Sequence, residues 1–197
     1  MAPPAPQFYL ASQSPRRRDL LQQLGLHFEI LPAAIDETPQ PGEAPADCAR
    51  RLAEAKADAV WNSPARRHSI PVLAADTVVA LDEHLLGKPV DDADARAMLA
   101  ALSGRCHQVI TAVALRVGEH RDSLVQTSTV CFAKLSPRDI ERYLAWGESA
   151  DKAGAYAIQG RAAAFVRELR GSYTGVVGLP LYETCQLLQR HGIEASP

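Results

Sequence analysis

Two long β-rich runs, CHQVITAVALRV and SLVQTSTVCFAKL, are joined through GEHR and read as a hairpin. A hairpin requires antiparallel neighbours. The remainder of the chain alternates short apolar strands with helix-period segments, the pattern of an α/β protein. Together these features predict a mixed sheet. At 197 residues, with no internal repeat and no Gly/Ser-rich linker, the chain reads as one domain.

The sequence predicts a first buried strand at FYLA (Phe8–Ala11), then a helix at Pro15–Leu24 capped by Ser14 and closed by Gly25, with Leu20, Leu21 and Leu24 on one face. FEILP is a second strand. Asp47–Trp61 is a helix with Leu52, Ala53, Ala57 and Val60 at core spacing and Arg50, Arg51, Glu54 and Lys56 elsewhere. SIPVLAADTVVALD is the most apolar strand, and Asp91–Leu102 a helix ending at Gly104. In SPRDIERYLAW, Ser136 caps, Pro137 takes the first helical position, and Ile140, Tyr143 and Leu144 face inward. YAIQG and AFVREL read as strands, and Pro180–His191 as a last helix closed by Gly192. Residues 1–7, MAPPAPQ, read as a loose Pro-rich tail before a domain at 8–197; without a basic region or an apolar stretch the tail is not a signal peptide.

A formal charge of −2 argues against a broad basic face for nucleic acid, so any attraction for anions must be local. No apolar run is long enough to span a bilayer. The four cysteines, Cys48, Cys106, Cys131 and Cys185, are scattered without a C-x-x-C pair, which suits reduced thiols in a cytoplasm better than disulfides or zinc. The six histidines lack the spacing of a zinc hydrolase.

Arg16, Arg17 and Arg18 occupy the start of the first predicted helix, where a helix ordinarily prefers acids. Adjacent helical residues point about 100° apart, so the three cannot share one partner. Arg18 is expected to face solvent or Asp19. Arg16 or Arg17, beside free N–H groups, would form an anion site of backbone donors plus a guanidinium fork. Charge decorating an exposed turn accounts for the residue types as well; the strand-to-turn setting, where α/β sheets bind ligands, favours a phosphate chain.

Asp76 is the lone charge in IPVLAADTVVAL, and a carboxylate in such a setting is costly unless paired, hydrogen-bonded or bound to metal. It reads as a structural acid satisfied by its neighbours, or as a metal ligand, a general base, or both. IDE (Ile35–Glu37) offers acids that could share a hard divalent ion, and GKP places Lys88 soon after the acid strand. Those groups are what phosphoryl chemistry needs. Neither a P-loop nor a dinucleotide fingerprint is present.

The separated motifs LASQSPRR, AADTVV, GKP, LSGRCHQVITAVAL, DKAGAYAIQG and GSYTGVVGLPL, in that order, make the chain resemble the Maf proteins from about Phe8 to about His191. The resemblance implies a nucleoside triphosphate pyrophosphatase of the inosine-triphosphatase-like fold, a single α/β domain with a mixed, strongly twisted sheet flanked by helices. It is nearest the subgroup that hydrolyses dTTP and UTP to monophosphate and pyrophosphate. It implies Asp76 as the base, Arg16, Thr77 and Gln159 as specificity positions, and Arg17, Lys56 and Lys88 as pocket residues. Glu37 is implied beside the metal, Mg²⁺ or Mn²⁺, with Asp76. Gln13 and Thr174-Gly175 depart from the family pattern without removing a functional side chain.

Uracil and thymine present a carbonyl acceptor beside an imide donor, and the amide of Gln159 can answer both. A sister subgroup resembling a 7-methyl-GTP pyrophosphatase carries an acid near this position, suited to the two donors of a guanine edge. The expected protein is therefore a cytoplasmic dTTP/UTP pyrophosphatase with no nucleic-acid or membrane partner, a homodimer being open. The rivals are a 7-methyl-GTP pyrophosphatase and a nucleotide-binding regulator of septum formation.

Overall fold

The hairpin forms as its sequence requires. Strands β5 (Cys106–Val117) and β6 (His120–Phe132) pair antiparallel, with Val117 opposite His120 across a tight turn at Gly118 and Glu119. The computed structural model describes residues 4–195. In it, β1 (Phe8–Leu10) lies parallel to both β2 (Phe28–Ile30) and β3 (Val72–Leu81). β3 runs antiparallel to β5, and β7 (Val166–Arg170) antiparallel to β6. The seven-stranded mixed sheet has the order β2-β1-β3-β5-β6-β7, and the short β4 (His84–Leu86) joins the far end of β3.

Helix α2 (Pro45–Trp61) covers one face of the sheet. α1 (Pro15–Gln23) and α6 (Leu181–Arg190) cover the other, and α3 (Asp92–Leu102) and α4 (Pro137–Leu144) close one end. The two-residue period of β3 sorts its side chains between these layers. Val72, Ala74 and Ala80 pack with Ala49, Ala53, Ala57 and Val60 of α2. Leu73 and Ala75 pack with Leu20, Leu21, Leu187 and Leu188. The same alternation puts Asp76 on the α2 side and Thr77 on the α1 side.

One edge of β3 is interrupted. β1 pairs with Val72 and Leu73, and β4 pairs from Val79 onward. Among the described residues, positions 74–78 have no strand neighbour on that edge. The interruption begins where β1 turns into α1, so ligand-sized space opens at the carboxyl end of β1, as in open α/β sheets generally.

Several expectations are corrected. Ser14 sits at the N-cap of α1 without a side-chain capping bond; its own N–H instead donates to Ser12 Oγ at 3.1 Å. YAIQG is not a strand, although Tyr156 and Ile158 alternate as strand residues do. Gly154 and Ala155 take positive φ (72° and 60°), and the Gly160 N–H turns back to the Ala157 carbonyl at 2.9 Å. AFVREL enters the sheet only at Val166, after a 3₁₀ turn at Arg161–Phe165. Cys106 and Cys131, distant in sequence, face each other in the hairpin register and form a disulfide, while Cys48 and Cys185 are free. Cross-strand partners hold their Cβ atoms close, which scatter along the chain does not reveal. The expected tail 1–7 is shorter at its inner end: the Gln7 N–H donates to the His27 carbonyl at 2.8 Å. Residues 1–3 of that tail, and 196 and 197, lie outside the described residues.

Two short elements were not foreseen, β4 and the helix α5 (Tyr173–Val177). Among the described residues no helix is long and apolar enough to cross a membrane.

Candidate active site

A cavity of about 780 Å³ opens at the interrupted edge of β3. Five cationic side chains line it (Arg16, Arg17, Lys56, Lys88 and Lys152) against three acidic ones (Glu37, Asp76 and Asp151). A chain of net charge −2 therefore concentrates positive charge here, as a polyanion site demands. Thr77 and Gln159 line the same space. The structure thus gathers all eight residues singled out in the sequence.

Asp76 is buried, 7% exposed. Its Oδ1 accepts a hydrogen bond of 2.6 Å from Lys56 Nζ, and the same ammonium lies 2.5 Å from Glu37 Oε1. Lys56 is itself 9% exposed, which corrects its placement away from the core stripe. The helical period contained the signal. Ala49, Leu52, Ala53, Lys56, Ala57 and Val60 form one buried face of α2, so the lysine occupies a core position among alanines. A buried ammonium needs a counter-charge, and β3 supplies Asp76 opposite it.

Burial pushes the Glu37 carboxyl up, but the hydrogen bond and charge of Lys56, with Lys88 and Arg17 beyond, outweigh it and hold the group below the usual carboxylate range. Two carboxylates sharing one cation are the donor set that a hard divalent ion takes together with phosphate oxygens. Glu37 and Asp76 therefore fit such an ion. Among the described residues no cluster of three or more metal-ligating side chains exists, so further ligands would come from substrate and water.

The arginines divide their work. Arg18 turns outward to Asp19, at 3.2 Å. Arg17 is consumed internally: Nε donates to the Gly178 carbonyl (2.8 Å), Nη1 to Ser12 Oγ (3.3 Å) and Nη2 to Thr77 Oγ1 (3.1 Å). It ties the segments after β1 and α5 to β3 around the cavity, and burial lowers its pKa from the ordinary guanidinium value. Arg16 lines the cavity outside that clasp. The backbone N–H groups beside it carry no side-chain cap, so donors and guanidinium meet there as an anion site requires.

Thr77 is nearly spent. Its hydroxyl lies 2.9 Å from Thr111 Oγ1, whose single hydrogen goes to the Gly175 carbonyl at 2.8 Å. Thr77 must then donate to Thr111 while accepting from Arg17. Only a lone pair and a methyl group remain for a ligand. A Cβ at Gly175 would lie 2.6 Å from Gln126 Oε1, the movable end of a flexible side chain.

Gln159 is exposed at the cavity rim on the turn at 156–160. Lys88 is exposed in the segment that follows β4, and the Gly154 N–H donates to the Gly87 carbonyl at 3.0 Å, tying the two loops together. Lys152, paired with Asp151, was missed in the sequence. Nothing in its spacing distinguishes it from a surface lysine.

The family model described as Maf-like protein matches residues 7–191. The dTTP/UTP pyrophosphatase of Nitrosomonas europaea is 53% identical over 195 residues, covering 94% of each chain. Its namesake from Chromobacterium violaceum is 54% identical over 190 residues, 94% of this chain and 95% of that one. That of Aromatoleum aromaticum is 50% identical over 204 aligned positions, 98% of each. Among solved structures, the Staphylococcus aureus Ham1 protein aligns over 64% of this chain and 71% of its own, with a TM-score of 0.44 and 14% identity, a likeness too slight to carry an argument.

Proposed function

The chain belongs to the Maf family, and from that premise we propose that it hydrolyses dTTP and UTP to the monophosphate and pyrophosphate. The observation that carries the reading is the buried Asp76, held by Lys56 at an open strand edge, within a cavity of excess positive charge. The relatives named dTTP/UTP pyrophosphatase support it.

Asp76 takes a proton from a water molecule, and the oxygen attacks the α-phosphorus. Oδ1 is engaged by Lys56, which leaves the second carboxylate oxygen for that proton. The bond from the α-phosphorus to the bridging oxygen breaks, and pyrophosphate leaves with the electron pair. Arg16, Lys56 and Lys88 neutralise the charge that moves toward the leaving group. Arg17 keeps the loops around the tail in place rather than serving as a free anion ligand. Glu37 and Asp76 would hold Mg²⁺ or Mn²⁺, which supplies Lewis-acid withdrawal of charge from the phosphate oxygens when bound. Gln159 answers the carbonyl and imide of the pyrimidine. Thr77 adds shape and one acceptor.

Nucleoside triphosphates are cytoplasmic metabolites, and that chemistry supports a cytoplasmic site of action; the thiol argument falls with the disulfide. The testing experiment measures pyrophosphate release over a nucleotide panel, with Mg²⁺, Mn²⁺ or chelator. Many equivalents per protein are expected from dTTP and UTP, abolished by chelator. Preference for 7-methyl-GTP would overturn the base assignment. Less than one equivalent with every nucleotide would overturn the enzyme and leave a nucleotide-binding regulator.

A further inference from the structure

The segment carrying Gln159 belongs to no strand, so backbone ladders do not set its position. Its anchors are of other kinds. The Gly154 N–H reaches the Gly87 carbonyl (3.0 Å), and the Ala157 N–H donates to the Tyr143 hydroxyl (3.1 Å). Between them, the Tyr156 hydroxyl lies 2.8 Å from His107 Nε2. His107 stands on β5 opposite Val130 in the hairpin, and is 3% exposed. The hydrogen bond therefore joins the most extensively paired part of the sheet to the loop three residues before Gln159.

The imidazole is not there for packing alone. His107, Phe132 and Tyr156 form a triangle of edge-to-face rings, with centroids 4.9–5.4 Å apart. A phenylalanine at 107 would complete that triangle equally well. It would also avoid a cost that the histidine carries, since His107 Nδ1 is buried with no hydrogen-bond partner among the described residues. What the imidazole adds is the bond to Tyr156, and Tyr156 lines the cavity. Burial holds the ring neutral, with its pKa lowered to about 4, so the bond keeps one character across physiological pH.

We propose that His107, acting through Tyr156, is a positioning residue that fixes the Gln159 turn against the sheet and so sets the enzyme's choice of base. It touches neither phosphate nor base. The proposal rests on the pyrimidine reading of Gln159. A loop held by a few side-chain contacts loses its register when one is cut, and a displacement of about 1 Å costs on the order of 10²-fold where geometry is critical.

The test compares wild type, His107→Phe, Tyr156→Phe and the double variant in steady-state kinetics with dTTP and dCTP, alongside hydrogen exchange of residues 153–160. Each single variant is expected to lower kcat/KM for dTTP about tenfold, mostly through KM, and to reduce discrimination against dCTP. The double variant should be no worse than either single, because both cut the same bond, and exchange in 153–160 should quicken in all three. Unchanged discrimination and unchanged exchange in Tyr156→Phe, or losses that multiply in the double variant, would overturn the proposal. If His107→Phe does not fold, Tyr156→Phe decides by the same criteria. A wild type that folds but does not turn over dTTP would sink the pyrimidine reading alone, and the exchange measurement would still decide whether the anchor holds the loop.

Discussion

The two ends of the cavity are built differently. At the phosphate end, Asp76 stands on β3, Lys56 on α2 and Arg16 on α1, each on a regular element whose period dictates which way its side chain points. At the base end, Gln159 stands on a turn without strand partners, placed by bonds from Gly87, Tyr143 and His107. Under the proposed function, the reacting acid and its cationic partner are held by the sheet and helices, with Glu37 and Lys88 added from loops, and discrimination among bases is left to a turn. Substitutions at the first end should therefore destroy catalysis or stability. Those at the second should alter selection in a protein that still folds.

The largest expected effect is on Asp76→Asn. It should lower single-turnover hydrolysis of dTTP about 10³-fold, within the range for a lost general base, while fluorescence titration still detects nucleotide binding. Next comes Lys56→Met, which leaves the buried Asp76 without its partner and should cost about 3 kcal/mol in urea unfolding. Asp76→Asn combined with Lys56→Met should recover part of that loss. Lys88→Met, at an exposed position, should cost nothing measurable in urea unfolding while it lowers kcat/KM for dTTP.

A pH titration tests the anchor at the base end. His107 has a folded pKa of about 4, below the ordinary 6.5 of an unfolded histidine. The unfolded chain therefore takes up the proton first. The contribution of His107 is complete above pH 6.5 and is lost as pH falls toward 4, by about 3 kcal/mol for a shift of this size. Denaturant unfolding of wild type and His107→Phe between pH 7 and 4 should show wild type losing more stability by that difference. Parallel curves would mean that the imidazole is not buried as described. Gln159→Glu should lower kcat/KM for dTTP and UTP about 10²-fold, with melting temperature unchanged because the side chain is exposed.

Legibility in the sequence followed the same division. The hairpin, the helix α4 with its Ser136 cap, and the isolated acid of β3 were readable because periodicity and capping are local. Lys56 was readable in principle, as a charge within the buried stripe of α2, yet its meaning depended on the acid facing it from β3. Gln159 resisted for a physical reason. Alternating Tyr156 and Ile158 imitate a strand, and only the positive φ at Gly154 and Ala155, with contacts from distant elements, turn the chain aside. The Cys106–Cys131 pairing needed the hairpin register, and the opening in the edge of β3 needed the lengths of both β1 and β4.

The central claim is that the triphosphate crosses the open edge of β3 with its α-phosphorus facing Asp76. The most direct measurement is a crystal structure with a dTTP analogue whose α,β-bridging oxygen is replaced by an imido group. The account predicts the phosphate tail among Arg16, Lys56 and Lys88, the Asp76 carboxylate turned toward the α-phosphorus, and the thymine edge against Gln159. A tail bound away from that edge, with the Asp76 carboxylate remote from phosphorus, would contradict it.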